Sequence, residues 1–240
     1  MTKDEPIVFE SVSQRIRGRM SEDGSRFFAN DNVSDYILEG ELDELIDEVQ
    51  EKFEGVLDSL LIDRENDPNS HGTGRRLAKM YILELMQGRF FPAPDVTAFP
   101  NDGDNGSEPY KGMLVVRSEI KSMCSHHHQI VDGVCYIGII PGNKVIGLSK
   151  YTRLAQHAAR RGTLQEELCN DIAKSIIEAT GSTDVAVHIT AKHGCCENRG
   201  IMAKNSATST TVLNGQFFTQ SMRQEFFDNI KLQTAGILDR

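Results

Sequence analysis

Two short clusters of soft metal ligands dominate this chain: Cys124-Ser125-His126-His127-His128 and His193-Gly194-Cys195-Cys196. They hold four of the seven histidines and three of the five cysteines, so the metal-competent side chains are concentrated in two places far apart in sequence. Thiolate and imidazole hold zinc in a four-coordinate tetrahedron; a structural site closes all four positions with protein atoms, and a catalytic site keeps one for water. No third Cys/His cluster lies between the two, which excludes an array of zinc fingers. A fold that uses both clusters on one ion must bring the two segments to a common point. Histidines beyond the ligands add proton transfer to coordination, and the combination points to metal-assisted hydrolysis.

The local geometry is open at this level. On an extended strand Cys124, His126 and His128 share one face and His127 the other. If the chain bends, the Cys-x-x-His spacing brings Cys124 and His127 to one metal instead. In the second cluster His193 and Cys195 sit two apart and can share a face, with Cys196 turned away. The bland alternative is a buried cysteine beside surface histidines, which two dense clusters disfavour.

An odd number of cysteines argues against a disulfide framework and for a reducing compartment. No apolar run is long enough to cross a membrane, and Met1-Thr2-Lys3-Asp4-Glu5-Pro6 lacks the apolar core of a signal peptide. A cytoplasmic protein with no membrane partner is therefore expected. The net charge of −9 disfavours nucleic acid as a partner while leaving room for a local basic pocket that binds a phosphate-bearing small molecule.

Residues 1–32 read as a polar, irregular arm. Residues 33–62 read as an amphipathic helix, with Ile37, Leu38, Leu42, Leu45, Ile46, Val49, Phe53, Val56 and Leu57 at three- and four-residue spacing. A second helix is predicted from Thr73 to Met86, then a Pro/Asp/Asn/Gly-rich loop over 91–109. Beyond it the pattern is strand, strand, helix, helix, strand, strand, helix. The segments are Met113–Ser122, Gln129–Ile140 (a strand pair turning near Asp132-Gly133), Ser149–Arg160, Leu164–Thr180, Asp184–Ala191, Ser206–Leu213 and Ser221–Leu232.

Three further motifs bear on binding. Ser149 suits a helix N-cap, and Lys150 and Arg153, three apart on the following helix, can face one anion at its electropositive end. Thr163-Leu164-Gln165-Glu166 matches a capping box, Thr at N-cap and Glu at N3; the alternative is a Glu166 carboxylate that accepts two N–H bonds from a guanine-type edge. Arg199 follows the second cluster closely and reads as a phosphate contact or a surface cation.

In order and approximate spacing these pieces resemble the GTP cyclohydrolase I family. The carriers are Arg75-Arg76-Leu77-Ala78-Lys79-Met80-Tyr81, Cys124-Ser125-His126-His127, Gly147-Leu148-Ser149-Lys150, Gln165-Glu166, His193-Gly194-Cys195 and Arg199-Gly200. The likeness covers residues 67–240 as a catalytic domain, with 1–66 as an N-terminal arm and helical extension. It implies an α+β tunnelling fold: a four-stranded antiparallel sheet with two helices on one face, whose sheets close into barrels in a homo-oligomer, a decamer in the family. It implies Zn2+ on Cys124, His127 and Cys195, and proton transfer by His126 and His193. Substrate binding falls to Ser149, Lys150, Arg153, Arg199 and, from a neighbouring subunit, Arg75, all on the triphosphate, with Gln165 and Glu166 on guanine. The implied reaction opens the imidazole ring of GTP, releases formate and yields 7,8-dihydroneopterin triphosphate, the entry to folate, other pterins or deazaguanines. The family usually has Glu at position 125, Thr-Pro at 73–74 and a larger residue at 194; here these are Ser125, Thr73-Gly74 and Gly194.

Two competing readings remain. A related tunnelling-fold enzyme of deazapurine metabolism, such as the nitrile reductase, uses a cysteine nucleophile and NADPH and does not need three metal ligands. A zinc-stabilised scaffold without turnover has no use for both His126 and His193. Release of formate from GTP separates all three.

Overall fold

The computed structural model describes residues 10–102 and 108–238. The N-terminal reading of residues 1–6 and part of the 91–109 loop lie outside the described residues. Packing divides the chain into two compact units, Met1–Pro92 and Ala93–Arg240.

In the first unit, α1 (Val12–Glu22) occupies a segment expected to be an irregular arm. Its signal is short: Val12, Ile16 and Met20, four apart, form a buried stripe. Arg15 and Arg19, flanking that stripe, reach Glu41, which is buried. The expected helix over 33–62 begins later, as α2 (Glu41–Ser59), because Gly40 takes a left-handed φ of 84° at its start. A single 3₁₀ turn, Ser34–Tyr36, precedes it. α3 (Thr73–Lys79) runs on through a wider π-type turn, Met80–Leu85, into α4 (Gln87–Phe90). Gly74 is where α3 meets α2: a Cβ there would lie 2.5 Å from Glu54 Cγ.

The second unit is built on an antiparallel sheet of β2 (Leu114–Met123), β3 (Ile130–Ile139), β5 (Val185–His193) and β6 (Thr208–Leu213), in the order β2-β3-β5-β6. A separate short pair joins β1 (Ala98–Pro100), inside the segment expected to be loop, to β4 (Lys144–Ile146). Helices α5 (Leu148–Ala159) and α6 (Gln165–Thr180) cover one face. Strand alternation sends Ile137, Ile139, Val187 and Ile189 into that layer, where they meet Tyr151, Leu154, Leu168, Ile172 and Ile176. Each fully buried aliphatic side chain stabilises the layer by about 1.5–3 kcal/mol. A short helix, α7 (Gly194–Glu197), follows β5, and α8 (Gln220–Leu238) closes the chain. Phe226 of α8 and the nearby Phe217 pack on Tyr136 and Ala186, on the opposite face of the sheet.

The segment 129–140 holds one strand, β3, rather than a strand pair. Asp132-Gly133, a turn signal in isolation, lies mid-strand, with Gly133 opposite Ile120 on one side and Ala191 on the other. A Cβ at Gly133 would come within 2.4 Å of the Thr190 carbonyl oxygen, so glycine serves close strand approach here. The true β2–β3 turn lies just upstream, in the histidine run.

Candidate metal centre

The turn between β2 and β3 is closed at both ends by backbone hydrogen bonds. Cys124 N donates to Gln129 O (2.9 Å) and His128 N to Cys124 O (2.9 Å). His128 takes φ 51°, a left-handed conformation that bends the chain. Cys124, directly after β2, is buried, and His126, His127 and His128 are exposed. The bend excludes the extended arrangement in which Cys124, His126 and His128 share a face. His126 and His127 stand nearly perpendicular, with ring centroids 6.3 Å apart.

Pairing of β3 with β5 sets Val131 opposite His193, which carries the second cluster to the same end of the sheet. Cys195 follows in α7. One ligand atom each from Cys124, His127 and Cys195 lies within 4.8 Å of the others. Two thiols and an imidazole converging at this separation fit a borderline-soft cation with one position left over. Burial, followed by the nearby Cys124 and Cys196 thiols, pushes the Cys195 thiol up to about 11. Crowded thiols oppose one another's ionisation, and a dication among them reverses that sign. Cys196 lies beside the set, its Sγ 4.0 Å from that of Cys195. The other two cysteines, Cys135 and Cys169, are buried in the sheet–helix core with thiols raised by burial, the setting of inert cysteines.

Gly194 opens α7 in a tight place: a Cβ would sit 3.0 Å from the Ile130 carbonyl oxygen and 3.1 Å from Asn198 Nδ2. A larger residue would displace β3 or the end of α7, which accounts physically for the glycine.

His193 Nε2 lies 2.7 Å from Gln165 Oε1. Gln165 is buried at the start of α6. This contact between two expected site residues has no local signature in the sequence; it depends on α6 crossing the end of β5.

The helix starts differ from the sequence reading. α6 begins at Gln165 with Leu164 in the N-cap position and no side-chain cap. Thr163 is buried, its hydroxyl 3.4 Å from Glu167 Oε2, and Glu166 is exposed. The capping box is therefore not formed: the buried hydrogen bonds of Gln165 outweigh the ~1 kcal/mol a cap supplies. Ser149 likewise is not an N-cap. α5 begins at Leu148, Gly147 takes the cap position where the chain leaves β4, and Ser149 is exposed in the first turn. Lys150 Nζ donates to the Asp95 carbonyl oxygen (2.6 Å), and Arg153 is exposed one turn on. Arg199 is exposed in the turn after α7. Arg75 belongs to the N-terminal unit, where its guanidinium meets Asp47 and lies 3.3 Å from Gln50 Oε1.

A family model described as GTP cyclohydrolase I matches residues 49–231. The chain is 37% identical over 189 residues to the GTP cyclohydrolase 1 of Aeromonas salmonicida, covering 76% of this chain and 84% of that protein. It is 36% identical over 191 residues to the one from Pseudoalteromonas translucida (77% and 98%) and 37% over 185 residues to the one from Clostridium beijerinckii (72% and 93%). No helix among the described residues is long and apolar enough to cross a membrane. With the match spanning most of the sequence, and the Cys-His-Cys convergence inside it, the chain belongs to the GTP cyclohydrolase I family.

Proposed function

We propose that this chain hydrolyses GTP, releases formate and forms 7,8-dihydroneopterin triphosphate, with one zinc ion held by Cys124, His127 and Cys195. The observation that carries the reading is the convergence of those three ligand atoms within 4.8 Å. Bound zinc would supply Lewis-acid activation of water at the fourth position.

The chain's own residues do the rest. Cys124 and Cys195 would hold the ion as thiolates and His127 as a neutral imidazole. His126, adjacent to His127, and His193, two positions before Cys195, move protons to and from the purine ring nitrogen as the ring opens. Ser149, Lys150 and Arg153 in the first turns of α5, with Arg199 and, from a neighbouring subunit, Arg75, hold the triphosphate. That remote binding energy keeps the base against the metal. Glu166 accepts hydrogen bonds from the guanine edge.

The sheet with α5 and α6 on one face supports the tunnelling fold, whose open edges, β2 and β6, call for pairing with other subunits. A large homo-oligomer, a decamer by family likeness, is expected on sedimentation; a fully active monomer would reject it. Zinc-loaded protein incubated with GTP is expected to release formate and, after oxidation, a fluorescent pterin. Absence of both, with zinc bound and GTP retained, would reject the activity and leave the scaffold reading.

A further inference from the structure

The family resemblance puts Gln165 beside Glu166 on guanine, yet its side chain turns into the protein. It is 3% exposed. Its Nε2 lies 3.0 Å from the Thr208 carbonyl oxygen, 3.3 Å from that of Ile189 and 3.1 Å from Thr210 Oγ1. Two of these partners are pure acceptors, so the amide orientation is fixed: the reverse would set Oε1 against two carbonyl oxygens. Oε1 therefore faces His193 as an acceptor, and His193 Nε2, 2.7 Å away, carries the hydrogen. The neutral ring then keeps its proton on Nε2 and presents Nδ1 as its basic nitrogen.

We infer that Gln165 is a positioning residue for His193, fixing the imidazole's orientation and tautomer by anchoring it to the β5 and β6 backbones. The inference rests on the reading of His193 as a proton carrier. It is favoured because the contact joins a buried polar side chain to a residue two positions before Cys195, one of the three converging ligands. The amide spans three elements: its own α6, Ile189 on β5, and Thr208 and Thr210 on β6. Loss of that hydrogen bond would let the ring reorient, and misplacing a reacting group by about 1 Å can cost about a hundredfold in rate.

A double-mutant cycle on the full-length, zinc-loaded protein tests this. Formate release is measured for Gln165→Met, His193→Ala and the double variant, with zinc content and melting temperature followed in each. Gln165→Met is expected to lower kcat about a hundredfold, with the KM for GTP and the preference for GTP over inosine triphosphate little changed. The double variant should be no slower than His193→Ala alone. Losses that multiply in the double variant, or a Gln165→Met effect carried by KM and by lost discrimination against inosine triphosphate, would overturn the positioning role and return Gln165 to the base. A His193→Ala variant with unaltered turnover would overturn the proton-carrier reading, and the positioning role with it. A measurement free of the Gln165 variant's folding uses solid-state 15N spectra of histidine-labelled protein at a pH where His193 is neutral. The signal lost in His193→Ala should report a ring protonated at Nε2, and a ring protonated at Nδ1 would reject the inference.

Discussion

Alanine at Cys195 should strip the metal from the chain, while alanine at Cys196 should leave one ion per chain. The two thiols are neighbours in sequence and only 4.0 Å apart, so composition alone does not distinguish them. Geometry does: Cys195, not Cys196, joins Cys124 and His127 within 4.8 Å. Apparent binding energies for structural zinc run to about 10–16 kcal/mol over four ligands. One thiolate is then worth about 2.5–4 kcal/mol, roughly two to three powers of ten in affinity. Metal analysis after gel filtration should show Cys195→Ala depleted, and formate release should collapse with it. Cys196→Ala should keep its zinc and most of its turnover. Depletion in Cys196→Ala with retention in Cys195→Ala would overturn the ligand set.

How much of this was legible in the sequence depends on the range of the interaction involved. The strands and helices of the second unit carry their own periodicity, and Ile172 and Ile176 of α6 or Ile137 and Ile139 of β3 mark their buried faces without reference to anything distant. α1 was missed because three buried residues, Val12, Ile16 and Met20, are diluted by charged and polar neighbours, and its stability leans on Glu41, nineteen or more residues on. Gly133 was misread because a glycine that permits a turn and a glycine that permits close strand packing look alike until the partner strand is known. At the metal centre the residue types were plain, but the choice between His127 and its neighbours needed the bend at His128. The Gln165–His193 contact needed the packing of α6 across the sheet, which no local pattern records.

Replacing Glu166 with glutamine should leave the fold intact and cripple the reaction. Glu166 is exposed in the first turn of α6, where no capping box forms. Its contribution to folding is then limited to a carboxylate near a helix N-terminus, about 0.3–1 kcal/mol. Glutamine loses only that, so the melting temperature should fall by no more than a few degrees and the zinc should remain. As the guanine anchor, the carboxylate accepts two charge-assisted hydrogen bonds, from the base N1–H and the exocyclic amine. Each is worth about 1.5–3 kcal/mol, and glutamine turns an N–H2 toward one of those donors. The expected loss in kcat/KM for GTP is therefore about two to four orders of magnitude. Exposure in the free chain favours this assignment over a structural one: an anchor must keep its lone pairs for the substrate, whereas a structural carboxylate such as Glu41 is buried against arginines. Normal turnover of GTP by Glu166→Gln would mean that the carboxylate merely decorates the start of α6 and that guanine is read by other residues of the site.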